Sequence, residues 1–181
     1  MNDLHAAMKR VSVKISLLLT GFVGIALVYA NWPMTPLPAG TKADSVIVLK
    51  SERKLLLLQN NRKIKEYEIA LGGEPRGKKT REGDERTPEG NYILDYRNPR
   101  SQSHLSLHIS YPDQNDIAEA RAKGVNPGGA IMIHGIRNGL GYMGRLHRLV
   151  DWTDGCVGVT NPEMEEIWRC VPDGTPILIR P

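Results

Sequence analysis

The sequence lacks the features that would place it in several common protein classes. It contains no internal repeat, no run of lysine and arginine interleaved with aromatic residues, and none of the usual nucleic-acid-binding motifs. Nucleic acid is therefore not an expected partner. Aromatic residues make up only 6% of the chain, with a single Phe, and the net charge of +4 is a mild excess. Such an excess suits an anionic neighbour, for example a membrane surface or an acidic polymer.

Cysteine is scarce, with only Cys156 and Cys170 in the chain. The even count permits one disulfide, but Cys170 lies beside Trp168 and Val171 on an apolar helix face, which favours a buried free thiol. His104 and His108 have the spacing of a helical zinc site. They lie on a predicted strand, however, where four residues span ~13 Å, too far for one metal ion. No metal site and no cofactor are predicted.

The length of 181 residues fits one domain, and 18 Gly and 12 Pro favour a mainly β fold over a helical bundle. We predict a globular domain over residues 44–181, preceded by an extended linker over residues 33–43 that contains prolines and a glycine. No second domain is indicated.

Residues 1–32 have the pattern of an export signal. Lys9, Arg10 and Lys14 precede a run without charged residues over positions 15–30. The positive flank should stay in the cytoplasm, which places the rest of the chain outside the cytoplasmic membrane. Two outcomes remain open. The segment is either a signal peptide cleaved after Val28-Tyr29-Ala30, or residues 11–32 stay as an anchor in the membrane.

Alternating and β-branched apolar runs predict short strands at residues 45–50, 54–59, 64–71, 91–95, 104–111, 130–133 and 175–179. The first three should form an antiparallel meander because their connections are short. Helices are predicted at 114–123 and 161–170, the second with Asn161 as its N-cap and Pro162 at its first position. Between these elements we predict two loops, a long one over residues 72–90 and a glycine-rich one over residues 139–150.

Some polar groups in these segments look like ordinary surface. Arg76, Lys78, Lys79 and Arg81 suggest a basic surface loop, and His147 lies in a basic stretch that indicates a solvated face. Trp152 is the kind of aromatic residue found in a core or at the rim of a site.

One pair of residues has the composition of a nucleophilic site. His134 ends a short buried strand and is followed by Gly135, and Cys156 follows Gly155 just before a helix, 22 residues after His134. A cysteine nucleophile needs thiolate character, which a neighbouring imidazole supplies. Backbone N–H groups around Gly155 and Cys156 would form an oxyanion hole. Cys156 is therefore a candidate nucleophile and His134 a candidate general acid/base, although Cys/His pairs are also common in unrelated sequences.

His134-Gly135, the glycine-rich gap and Thr153-Asp154-Gly155-Cys156 resemble the signature of the L,D-transpeptidases of the YkuD (ErfK/YbiS/YcfS/YnhG) family. The resemblance extends over about residues 45–179 and is nearest to the YafK-like branch, through Ser110-Tyr111-Pro112 and the run 128–135. It implies a β-rich, sandwich-like domain. It also implies a cysteine that attacks the meso-diaminopimelate carbonyl of a peptidoglycan stem peptide, with the histidine as base.

The resemblance implies an enzyme of the periplasm or cell envelope that acts in cell-wall biogenesis or degradation and in cell shape. Its partners would be stem peptides, an envelope lipoprotein as acceptor, and the inner membrane if the N-terminal helix is retained. The reaction would be transpeptidation through a Cys acyl-enzyme. Hydrolysis by an amidase or L,D-carboxypeptidase with the same pair is the alternative, and a non-catalytic peptidoglycan-binding module is an alternative of another class.

The motif also departs from the family pattern. The commoner motif has Ser-His-Gly-Cys followed by an apolar residue and Arg or Asn, whereas Asp154 precedes Gly155 here and Gly158 stands at the Arg/Asn position. A carboxylate near the thiol opposes its ionisation. We expect Thr153, Asp154, Gly155 and Gly135 to support the turn and the oxyanion hole. His108, Tyr111 and Gly158 are the predicted lining of the substrate cleft.

Overall fold

The computed structural model describes the backbone of residues 2–181 and the side chains from residue 14 onward. Helix α1 covers Asn2–Ala30 and includes the uncharged run. In the part of the chain so described, no helix combines the length and the apolar character needed to cross a bilayer. The end of α1 packs on the segment Gly141–Leu149. Asn31 Nδ2 donates to the Tyr142 carbonyl at 2.9 Å.

Eight strands form one sheet, in the order β3-β2-β1-β8-β4-β5-β6-β7. Their bounds are β1 Ser45–Leu49, β2 Lys54–Gln59, β3 Arg62–Glu68, β4 Gly90–Ser101, β5 His104–Ile109, β6 Met132–His134, β7 Val157–Gly158 and β8 Thr175–Arg180. The predicted β1–β2–β3 meander is antiparallel as expected, while β1 pairs with β8 and β6 pairs with β7 in parallel. The predicted mainly β fold with a few short helices, preceded by an N-terminal helix, is confirmed.

The sheet has one apolar face because its strands alternate. Val46 and Val48 of β1 are buried while their neighbours are partly exposed, and β8 follows the same rule. Helix α3 (Asn161–Cys170) contributes Met164, Ile167 and Cys170 to the core. Cys170 is fully buried and both cysteines are free, so the single disulfide that the count permitted is not formed.

The structure departs from the predicted elements where alternation fails. Strand β4 continues beyond the predicted 91–95 to Ser101. The extension was not predicted because register shifts between Leu94 and Arg97 and between Asn98 and Ser101 interrupt the alternation of buried and exposed residues. Strand β7 was not predicted, since two residues are too short to show a period. The loop 139–150 contains a 3₁₀ segment, Gly141–Leu149, that kinks at Gly144.

The start of α3 differs by one residue, and the difference affects the site. Thr160, rather than Asn161, occupies the N-cap position, and its backbone N–H is accepted by the Glu163 carboxylate at 2.9 Å. The side chain of Asn161 is therefore not used for capping. Helix α2, Gln114–Ala122, lies where the sequence predicted it and is capped by Asp113.

Candidate active site

Strands β5, β6 and β7 lie side by side and bring the predicted catalytic pair to one face of the sheet. Ser106 pairs with His134, and His134 with Gly158. Two residues away along the same strands, His108 pairs with Met132, and Cys156 lies two residues before Gly158. Ile133 and Val157 point to the opposite, core face. Because side chains alternate along a strand, His134 and Cys156 share the face that is turned away from the core.

The imidazole of His134 is oriented by the backbone of the next residue. Its Nδ1 lies 2.7 Å from the Gly135 carbonyl oxygen, which can only accept, so Nδ1 carries the proton. Nε2 then holds the lone pair that a general base requires. Burial lowers the pKa of His134, which favours the neutral ring. Trp152 packs edge-on against this ring, with centroids 5.5 Å apart.

The turn that presents Cys156 is held by Thr153. The Thr153 hydroxyl donates to the Cys156 carbonyl at 2.8 Å and accepts from the Gly155 N–H at 3.2 Å. Gly155 has a φ of 116°, and a Cβ on it would lie 2.4 Å from the Arg86 carbonyl oxygen. Only glycine fits both the backbone angle and the space. Thr153 thus holds this turn by two hydrogen bonds and Gly155 packs closely in it, while the oxyanion hole stays a prediction.

The thiol lies among backbone groups of the neighbouring chain. The Met132 N–H donates to Sγ at 3.4 Å, and the thiol donates to the Ala130 carbonyl at 3.7 Å. Burial raises the pKa of Cys156 above its ordinary value, and the Asp154 carboxylate raises it further. The Met132 N–H and the ammonium of Lys79 act in the opposite direction. The resting thiol is thus protonated, with its proton directed at a carbonyl.

The two groups are close in the sheet but are not bonded to each other. Residues offset by two positions on adjacent strands have Cα atoms about 8 Å apart, which lets long side chains approach. In the range 14–181, whose side chains the structure describes, no hydrogen bond joins the His134 ring to the Cys156 thiol. Since burial disfavours both the imidazolium and the thiolate, the resting pair is neutral.

The residues predicted to line the cleft fall in different places. His108 lies in the row of Met132 and Cys156, with Nδ1 2.7 Å from Asp95 Oδ1. Gly158 lies opposite His134, where a Cβ would come within 3.4 Å of the Trp152 ring. Tyr111 is in the core, 2% exposed, and its hydroxyl donates to the Pro127 carbonyl. The structure thus does not bring Tyr111 to the face of Cys156.

Two predicted surface groups are buried, so those predictions were wrong. Lys79 is 3% exposed and pairs with Asp84 at 2.8 Å, inside the loop that packs beneath Gly155. His147 is also 3% exposed, and its Nδ1 accepts from the Trp152 indole N–H at 3.3 Å. Burial and the neighbouring Arg148 lower the pKa of His147 to about 4. Sequence spacing carries no signal for either partner, because each pairing depends on loop geometry.

The loop that begins after β3 is hydrogen-bonded to the segment that contains Cys156, residues 153–158. Ala70 and Gly158 exchange two backbone hydrogen bonds, at 2.8 and 2.9 Å. Thr153 N–H donates to the Leu71 carbonyl, and the Gly73 N–H donates to the Thr153 carbonyl. The cysteine segment therefore has β6 on one side and residues 70–73 on the other, which fixes its position.

Neither of two cavities in the structure is lined by His134 or Cys156. One of 260 Å³ is mainly apolar and is formed by the segment Gly141–Leu149 together with Trp152, His147 and Ile136. A larger one of 540 Å³ lies between β4 and α2. Across the residues that the structure describes, no cluster of three or more His, Cys, Asp or Glu side chains could hold a metal ion.

Residues 43–179 match the family model of the YkuD L,D-transpeptidase catalytic domain. The chain belongs to this family. No curated protein sequence matches it. Among solved structures, the helical cell shape determining protein Pgp2 of Campylobacter jejuni superposes with a TM-score of 0.60 at 24% identity, over 87% of this chain and 54% of its own.

Two further solved structures superpose on this chain. Bd1075 of Bdellovibrio bacteriovorus superposes with a TM-score of 0.54 at 25% identity, over 82% of this chain and 54% of its own. An L,D-transpeptidase of Xylanimonas cellulosilytica gives 0.51 at 18% identity, over 81% of this chain and 65% of the other. The chain therefore spans about half to two thirds of the length of these structures.

Proposed function

We propose that this chain is a cysteine acyltransferase that acts on meso-diaminopimelate-containing stem peptides of peptidoglycan. The observation that carries the proposal is the shared sheet face of Cys156 and His134, with the lone pair of His134 on Nε2, in a chain of the L,D-transpeptidase family. A non-catalytic binding module would have no need of a free thiol beside an oriented imidazole. We therefore infer a catalytic role for both residues.

The reaction begins from the neutral pair. As substrate arrives, His134 Nε2 takes the thiol proton of Cys156 while Sγ attacks the peptide carbonyl carbon. The carbonyl oxygen becomes an oxyanion near the backbone N–H of Cys156, because the Gly155 N–H is already donated to the Thr153 hydroxyl. The C–N bond then breaks, and the imidazolium returns the proton to the leaving amine. The product is a thioester on Cys156.

The second half of the reaction decides the enzyme class. An amine acceptor gives a new amide, which is either a cross-link or an anchored lipoprotein, whereas water gives hydrolysis. His134 removes a proton from either nucleophile. The family supports transpeptidation as the first choice, and Pgp2, described as determining helical cell shape, supports a role in the cell wall and in cell shape. Hydrolysis is the alternative outcome of the test.

The test uses the full chain in detergent with tetrapeptide muropeptides, with and without lipoprotein-linked material. Mass spectrometry should show cross-linked dimers with Cys156 intact and none with Cys156→Ser. Trimmed stems or released lipoprotein without dimers would contradict transpeptidation and assign hydrolysis. Stoichiometric binding of muropeptides without any product would contradict both reactions and favour a binding module.

We also propose that the domain works in the periplasm, held at the inner membrane by residues 11–32. Large side chains of α1 such as Leu18, Phe22 and Ile25 are 72–74% exposed, which favours an apolar surrounding over water. Accordingly, the chain expressed in a Gram-negative host should sediment with membranes and be digested by protease in spheroplasts. Recovery in the soluble periplasm after loss of residues 1–30 would contradict retention and indicate cleavage.

A further inference from the structure

The side chain of Asn161 reaches from the first turn of α3 to the backbone that follows His134. Its Oδ1 accepts from the Ile136 N–H at 2.8 Å. Asn161 comes five residues after Cys156, so this bond links the cysteine segment to the histidine loop. The link is possible because Thr160 takes the N-cap position, which leaves the Asn161 carboxamide available.

The group that Asn161 holds is the peptide unit that orients the imidazole. The Gly135 carbonyl and the Ile136 N–H belong to one planar peptide. At one end of this unit the carbonyl oxygen accepts from His134 Nδ1 at 2.7 Å. At the other end the N–H donates to Asn161. Hydrogen bonds in such a chain polarise one another, so the amide oxygen of Asn161 strengthens the acceptor that His134 uses.

We propose that Asn161 is a positioning residue that fixes the tautomer and orientation of His134 through the Gly135–Ile136 peptide. The inference rests on the proposed function of His134 as base. Asn161 makes no hydrogen bond to the Cys156 thiol. It acts by keeping the proton of His134 on Nδ1, so that the Nε2 lone pair remains available to take the proton of Cys156.

The packing around the carboxamide supports this role independently. A Cβ on Gly135 would lie 2.8 Å from Asn161 Oδ1 and 2.9 Å from the Cβ of His104, so only glycine admits the carboxamide here. On the other side, Nδ2 would be 2.8 Å from a Cβ on Gly141, where the 3₁₀ segment begins. The side chain is therefore confined between the histidine loop and the segment that follows it.

The test measures His134 directly, by nitrogen-15 NMR of the full chain in detergent. In Asn161→Leu, which keeps the volume but loses the acceptor, the Nδ1 proton should exchange with solvent about tenfold faster. Acyl-enzyme formation should fall by a similar factor. Asn161→Asp retains an acceptor oxygen, so exchange should stay within about twofold of the wild type. Its added charge should raise the pKa of His134 and shift the acid limb of the rate profile to higher pH.

The matched control is Asn138→Leu. Asn138 also holds loop backbone, accepting from the His104 N–H at 3.0 Å and donating to the Ser101 carbonyl, but it makes no hydrogen bond to the Gly135–Ile136 peptide. It should leave the exchange of the His134 proton unchanged. Unchanged exchange in Asn161→Leu, or equal acceleration in Asn138→Leu, would overturn the inference. Because the NMR measurement needs no substrate, it decides the role of Asn161 even if the wild type proves inactive on muropeptides.

Discussion

The two cysteines of this chain occupy different regions, and the contrast explains why Cys156 rather than Cys170 is proposed as the nucleophile. Cys170 lies in the core on α3 among Ile167 and Val171, whereas Cys156 lies on the opposite sheet face beside Met132 and Ala130 backbone groups. Burial raises the pKa of both thiols. Acidity therefore does not separate them. The difference is an oriented base on the same face, together with a turn that fixes the sulfur.

Exchanging each cysteine for alanine should separate chemistry from stability, and it has the largest expected effect. Cys156→Ala should reduce turnover of muropeptides by at least about a thousandfold, because no thioester can form. Cys170→Ala should keep turnover near wild type but lower the free energy of unfolding by about 1–2 kcal/mol, since a fully buried sulfur is removed. Product formation and urea unfolding are the two measurements. Equal loss of turnover in both variants would contradict the assignment of a chemical role to Cys156 and a structural role to Cys170.

The glycine of the cysteine turn should be far less replaceable than a glycine near Cys170. Gly155→Ala places a methyl 2.4 Å from the Arg86 carbonyl and must displace backbone, so turnover should fall about a hundredfold. Gly174 also has positive φ, 85°, but open space around it. Gly174→Ala should cost only about 1 kcal/mol of stability with turnover retained. Retained turnover in Gly155→Ala would show that the turn geometry is not required.

Two threonines in similar surroundings allow a more closely matched comparison. Thr153 and Thr175 are each 5% exposed, and each donates its hydroxyl to a carbonyl three residues away, of Cys156 and Pro172 respectively. Replacement by valine should destabilise both variants by about 1–2 kcal/mol. Only Thr153→Val should also slow acyl-enzyme formation, by about tenfold, because it loosens the turn that carries the nucleophile. Single-turnover kinetics is the measurement. Equal slowing in Thr175→Val would show that lost stability, and not a loosened cysteine turn, slows the reaction.

The smallest effect concerns the charge beside the thiol. Because the pKa of Cys156 is raised, its alkylation by iodoacetamide should be slow at pH 7 and should accelerate as pH rises above 9. Asp154→Asn removes a charge that raises this pKa, so alkylation at pH 8 should become about twofold faster. Asp173→Asn, at an exposed ion pair with Arg97, is the control and should change nothing. A fast, pH-independent reaction at pH 7 would mean a preformed thiolate.

The sequence predicted the regular half of the fold better than the half that bears the site. Strands β1, β2 and β8 alternate cleanly and were placed within one residue, because burial of one sheet face leaves a period of two. Strand β7 has two residues and carries no period. The pairing of His134 with Gly158 depends on this strand, so the relative position of the two catalytic candidates was inaccessible from the chain alone.

Individual site residues show the same limit. Cys156, His134 and the supporting Thr153 and Gly155 carry local signals, since a glycine–cysteine turn and a strand-terminal histidine are visible in the sequence. Asn161 was predicted as an N-cap, because the pattern Asn-Pro is typical of a helix start. Its bond to the Ile136 N–H spans 25 residues of chain, and no local pattern predicts a contact of that kind.

The most direct test of the central claim is the site of the covalent intermediate. The full chain is mixed with tetrapeptide muropeptide, quenched in acid within one turnover, digested and mapped by mass spectrometry. We expect the acyl mass on the peptide that contains Cys156, none on the peptide that contains Cys170, and loss of the adduct in His134→Gln. An acyl group on Cys170, or product formation without any adduct on Cys156, would contradict the assignment of Cys156 as the nucleophile.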